Sequence, residues 1–168
     1  MTPPERPTSE WEEPLPTLTG RAWAFGIVLT LADVLPSRYA GLPPHEAHRH
    51  VLADVDPEWA ARVRAGDLVI VEEFHGDAER RDAFAALRLA GIAALVARRY
   101  DDGLENAALA AGIVPVVLDA PAFIHTGDRV RLDLEAAKIV NLSSGDRAAV
   151  RNLDEARRAA VRAMLRAA

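Results

Sequence analysis

Apolar positions along the chain fall into two regimes that change near residue 120. Before that point, unbroken apolar runs alternate with stretches of helical periodicity. After it, apolar and polar positions alternate with period two. An opening strand is predicted over residues 20–29, where an alternating start turns fully apolar. Runs over residues 67–71, 92–97 and 114–118 read as strands buried on both faces. Pro43 and Pro44 lead into a helix from His45 to about Leu52. Asp56 as N-cap and Pro57 at the first helical position predict a short helix after it. Longer helices are expected over residues 79–90, capped by Gly91, and 104–111, stopped at Gly112. This alternation predicts a mostly parallel central sheet covered by helices, an α/β fold. Residues 129–134 and 138–142 read as a half-exposed antiparallel ribbon, turned again at 144–146. The tail, 153–168, reads as an Arg- and Ala-rich helix with Val161, Met164 and Leu165 as a narrow apolar stripe.

At 168 residues the chain has room for one domain with a real core. Residues 1–17, rich in Pro, Glu and Thr, are expected to form a disordered leader, 18–150 the domain, and 151–168 the C-terminal helix. A net charge of −5, with no basic patch interleaved with aromatics, argues against a nucleic-acid surface. No apolar run reaches membrane length and no signal peptide is visible, so a cytoplasmic location is expected. There is no cysteine, which excludes disulfides and any thiolate-held zinc or iron–sulfur cluster in this chain. His45, His48 and His50 lie close in sequence. His48 and His50 diverge on either a strand or a helix, so no metal site is expected.

The stretch of residues 74–81 carries the chemistry of most interest. It lies where a strand hands over to a helix, a place where bare amides and the helix dipole hold anions. Yet it contains two acids, Asp77 and Glu79, beside Arg80 and Arg81. Asp77 could simply cap the helix while Glu79 complements its dipole.

Several words of sequence carry a resemblance. Residues 20–26, Pro36 with Arg38 and Tyr39, residues 50–59, 65–70, 112–116, 127–134 and 139–145 follow one another in a familiar order. In that order they resemble the small subunit of 3-isopropylmalate dehydratase, the swivelling domain of the aconitase superfamily, over about residues 20–146. The resemblance implies a swivelling β/β/α domain with an antiparallel ribbon near its C-terminus. It implies a separate large subunit that carries the iron–sulfur cluster, with no cofactor in this chain. It also implies a small hydroxy-acid ligand, dehydrated and rehydrated between the subunits. In that family a serine in a glycine-rich loop acts on the substrate proton, and the neighbouring arginine grips a carboxylate.

The matched loop is residues 75–81. The serine falls on Glu79, the candidate replacement base, while the arginine is retained as Arg80. Arg38 is the second candidate for substrate contact. A surface salt bridge is the alternative for Arg38, a half-buried packing ring for Tyr39, and core or rim packing for Trp23 and Trp59. The family's aspartate-rich motif falls on residues 27–32, now nearly all apolar. A later arginine is replaced by Asp101 and Asp102. Two like charges about 4 Å apart cost roughly 1 kcal/mol in bulk water and about 4 kcal/mol at an effective dielectric of 20. A mouth so acidified is expected to impair the ancestral reaction. The alternative role is a non-catalytic binding or regulatory module, and the chain could form a homo-oligomer.

Overall fold

In the computed structural model, which describes residues 14–167, three of the apolar runs each divide between two sheets. β1 (Thr17–Ala24), β3 (Leu68–Ile70) and β5 (Ala94–Ala97) lie side by side in the larger sheet. Each then bends and resumes in a smaller one, as β2 (Val28–Thr30), β4 (Glu73–His75) and β6 (Arg99–Tyr100). The predicted strand over 20–29 is therefore two strands, separated at Gly26, which sits at φ 76°. Hydrogen bonds cross the bends: Phe25 N–H donates to the Ile70 carbonyl at 2.9 Å, and Val71 N–H to that of Val96 at 2.9 Å. Backbone pairing, not a change in hydrophobicity, sets the break.

The larger sheet has the order β10-β9-β8-β1-β3-β5-β7. Every pairing from β1 towards β7 (Val114–Val117) is parallel. Every pairing on the other side is antiparallel, through β8 (Arg129–Asp133), β9 (Lys138–Asn141) and β10 (Arg147–Ala149). The ribbon is present as expected, with β10 as a third strand that the turn at 144–146 leads into. The smaller sheet, β2-β4-β6, is wholly parallel.

Period-two burial sends alternate side chains of β3 into two cores. Val69 and Val71 join Trp23, Trp59, Phe74 and Phe84 on one side. Leu68 and Ile70 join Val116, Val130 and Leu132 on the other. The first core is covered by α4 (Arg81–Ala90), which buries Ala83, Phe84, Ala86 and Leu87. It is also covered by α5 (Leu104–Ala110) and by the single turns α1 (Leu31–Val34), α2 (Pro44–Ala47) and α3 (Trp59–Arg62). Trp59 packs edge-on against Trp23 at 5.9 Å, the core role expected for both. Trp23 Nε1 donates at 2.9 Å to the buried carboxylate of Asp67, which also accepts the N–H of Arg64 at 2.9 Å.

Three expected boundaries move. The helix from His45 to Leu52 is one α turn and a 3₁₀ turn, His48–His50, because Leu52 reverses at φ 59° to donate to the Val34 carbonyl. Asp56 does not cap α3; its carboxylate accepts the N–H of Glu58, and the helix starts at Trp59. The end of the expected leader belongs to the fold, since Leu15 is buried and donates to Glu135 at 2.8 Å; residues 1–13 lie outside the described residues. The C-terminal helix, α6 (Glu155–Ala167), packs on the second core through fully buried Val161 and through Met164 and Leu165.

β7 is an edge, and Asn152 covers it as a surrogate strand. Its Oδ1 accepts the Val117 N–H at 3.0 Å, and its Nδ2 donates to the Pro115 carbonyl at 2.9 Å. Asn152→Ala is expected to lower stability by about 1–2 kcal/mol in urea unfolding, because both edge groups lose their partner. Gly20 lies where β1 crosses the start of β3, and a Cβ there would stand 2.0 Å from the Gly66 carbonyl oxygen. Gly20→Ala is expected to cost about 3 kcal/mol or more in the same measurement.

Candidate functional site

The carboxyl ends of parallel strands are where α/β sheets gather ligand-binding loops. At the carboxyl ends of β2, β4 and β6 lie α1, the loop over residues 76–80 and the turn over residues 101–103, the places where the resemblance implies changed motifs. Contacts tie them together. Arg80 Nη2 donates to the Leu35 carbonyl at 2.8 Å, joining the β4–α4 loop to the end of α1. A Cβ on Gly76, which sits at φ 147°, would press to 2.9 Å on the Leu31 side chain. A Cβ on Gly103 would stand 3.2 Å from that of Ala78.

Carboxylates of the same three segments satisfy backbone donors of the mouth. Thr30 N–H donates to Asp33 at 3.0 Å, half of a capping box that starts α1. Gly76 N–H donates to Asp101 Oδ2 at 2.9 Å. Glu79 N–H donates to Asp77 Oδ1 at 2.9 Å, so Asp77 closes a turn within the loop. It does not cap α4, which has Arg80 at the N-cap position and no side-chain cap.

Of the sequence-derived candidates, Arg80 lies at the N-cap position of α4, on the loop after β4. Its guanidinium grips Asp82 through Nε at 3.0 Å and Nη2 at 3.1 Å. Glu79 is exposed, and its carboxylate forms no ion pair among the described residues. Arg38 lies elsewhere, in the 3₁₀ turn Ser37–Tyr39. It forms a two-pronged pair with Asp54 at 2.8 and 2.5 Å. The same guanidinium covers the Tyr39 ring at 4.6 Å, and Tyr39 stacks on His50 at 4.1 Å. The hydrogen bonds from Arg38 hold the Asp54 carboxyl below the ordinary carboxylate value. The salt bridge open as an alternative for Arg38 is therefore present.

The pair that sequence reasoning missed is His75 with Asp101. Nδ1 of His75 lies 2.8 Å from Asp101 Oδ1. That hydrogen bond, and then the one from Gly76, lower the Asp101 pKa from its ordinary value. The sequence signal was shared local order, since each follows two charged residues and an aromatic, Glu72-Glu73-Phe74 and Arg98-Arg99-Tyr100. Among the described residues no group of three His, Cys, Asp or Glu is placed to hold a metal ion. No helix among them is long and apolar enough to cross a membrane.

Comparison with known proteins follows this geometry. The chain is 32% identical over 130 residues to a 3-isopropylmalate dehydratase small subunit from Nautilia profundicola, covering 76% of this chain and 78% of the relative. It is 29% identical to a 3-isopropylmalate dehydratase small subunit from Archaeoglobus fulgidus, covering 82% and 85%. It is 32% identical to a methanogen homoaconitase small subunit from Methanothermobacter thermautotrophicus, covering 76% and 75%. A crystal structure of 3-isopropylmalate dehydratase from Methanocaldococcus jannaschii superposes with a TM-score of 0.77 at 24% identity, covering 84% of this chain and 86% of that one. No family model matches the chain.

A depressed carboxylate pKa gives stability that is complete above the unfolded value, here 3.8, and is lost as pH falls through the folded one. Asp101→Asn is therefore expected to be less stable than the natural chain at about pH 7, with the deficit shrinking as pH falls below 3.8. Urea unfolding of both proteins across that range checks it.

Proposed function

The chain belongs to the 3-isopropylmalate dehydratase small-subunit family, and on that premise we propose that it is the swivelling half of a two-subunit hydro-lyase acting on hydroxy-dicarboxylates. The observation that carries the reading is Arg80 on the loop after β4, tied to the Leu35 carbonyl at the end of α1, with the turn after β6 bonded to the same loop at Gly76. Arg80 uses Nε and Nη2 within the protein, and Nη1 remains to meet a substrate carboxylate. Arg38 would reach substrate only by giving up Asp54, so its proposed role is secondary.

The partner on this reading is a large subunit, as the relatives' designation as small subunits supports. With no cysteine, this chain does not fit an iron–sulfur cluster as a ligand set. The cluster is assigned to the large subunit, and the proposed compartment is the cytoplasm. The relatives' serine step is lost here. Glu79 stands in its place as the candidate base, but no neighbour aims its carboxylate.

The self-satisfied mouth favours a second reading, a non-catalytic binding or regulatory module that kept the fold, with self-association as a further outcome. Here Asp33, Asp77 and Asp101 occupy the amides a ligand would use.

Co-expression with a large subunit, tandem purification and assay on 3-isopropylmalate, homoaconitate and citraconate-type acids separate the readings. A stable complex with slow turnover is expected, about 10²-fold or more below a serine-bearing relative, the usual scale of a lost proton-transfer group. A chain that stays alone, or a complex inert on every one of these acids, supports the non-catalytic module.

A further inference from the structure

We propose that His75 is the proton-exchanging residue of the mouth and that Asp101 is its positioning residue, an assignment that rests on the hydro-lyase reading above. It starts from strand register. β4 and β6 run parallel with Glu73 opposite Arg99 and Phe74 opposite Tyr100. His75 and Asp101 are the next residues along; His75 ends β4, still paired with Thr30 of β2, and Asp101 is the first residue after β6.

The carboxylate is fixed at both ends. Oδ1 faces Nδ1 of His75 at 2.8 Å, and Oδ2 accepts the Gly76 N–H at 2.9 Å. An imidazole that donates Nδ1–H to a fixed carboxylate presents Nε2 as its proton acceptor. The His75 side chain is 35% exposed, so that nitrogen can be reached from the mouth. The charged groups facing the ring come from two elements and the loop between them. Glu73 on β4 lies 3.9 Å from Nε2. Arg98 and Arg99 each lie 3.9 Å from the Glu73 carboxylate and offset its charge. Asp101 completes the set.

Other groups in the mouth are less suited. Asp101 is held ionised by His75 and Gly76. Glu79 has no aiming partner, and a guanidinium does not act as a base. Arg99, 70% exposed on the rim, offers a cation to an incoming carboxylate. The ligand class is thus a carboxylic acid with an acidic C–H beside the carboxylate. In the proposed step that C–H bond breaks and its proton goes to Nε2. The electron pair passes into the carboxylate as an enediolate, and the reverse step returns the proton to carbon.

The test uses the complex with the large subunit, incubated with 3-isopropylmalate in D₂O, with loss of the substrate C–H signal followed by NMR. His75→Gln is expected to slow both exchange and turnover by about 10²-fold or more while leaving the complex assembled. Asp101→Asn is expected to slow both by about tenfold, and Asp101→Glu, which keeps a carboxylate, to recover part of that loss. A contact with no part in the step would slow neither exchange nor turnover in Asp101→Asn. Exchange by His75→Gln within about threefold of the natural complex overturns the assignment. So does a loss carried by Glu79→Gln in place of His75→Gln, or an Asp101→Asn variant that slows neither exchange nor turnover. An assembled natural complex that exchanges no proton also overturns it while the partnership stands. Failure of the complex to form removes the hydro-lyase reading, and this assignment with it.

Discussion

The bend that carries three parallel strands from one sheet into another is the constraint on which the site depends. β1, β3 and β5 form the buried, two-sided half of the larger sheet. Backbone hydrogen bonds continue across each bend, so β2, β4 and β6 inherit their order and spacing from the core beneath them. The segments that follow are then set side by side, and contacts such as Arg80 with the Leu35 carbonyl and Gly76 with Asp101 tie them together. A rigid sheet with positioned loops is the usual way an α/β fold makes a site. Here the sheet is rigid because Val69, Val71 and Phe74 pack among Trp59, Phe84 and Leu95 in one continuous core.

What the loops do with that position is governed by electrostatics. An anion-binding mouth needs unoccupied N–H groups and cations. In this protein three amides already donate to Asp33, Asp77 and Asp101, and Arg80 already grips Asp82. An incoming dicarboxylate must displace an internal carboxylate or bind through groups that remain, such as Arg99 and Arg81 on the rim. Either route is weaker than an open set of amides, because it exchanges one charge-assisted hydrogen bond for another. The mouth is thereby shifted from anion capture towards the His75–Asp101 pair as its distinctive chemistry.

Much of the framework was legible in the sequence. The apolar runs at β3, β5 and β7 and the stripe of α4 stand out because burial on two faces, or on one helical face, leaves a periodic signature. The split of the opening strand was not legible, because Ile27 and Val28 continue the apolar run through the bend and only backbone pairing marks it. β10 was hidden for a related reason: Arg147, Ala148 and Ala149 carry little apolar pattern at an edge. The retained Arg80 could be placed from the order of motifs. The partnering of His75 with Asp101 could not, since it spans 26 residues and follows from the register of two short strands. For Arg38 a surface salt bridge was legible as an alternative but its partner was not, because Asp54 lies 16 residues on.

The most direct measurement is the amide signal of Gly76 in a ¹⁵N NMR titration of the chain with 3-isopropylmalate, compared between the natural sequence and Asp101→Asn. If internal carboxylates occupy the mouth, the Gly76 signal stays still in the natural chain and responds to the ligand in Asp101→Asn. A natural chain whose Gly76 amide shifts and saturates with ligand as readily as that of Asp101→Asn would contradict the account.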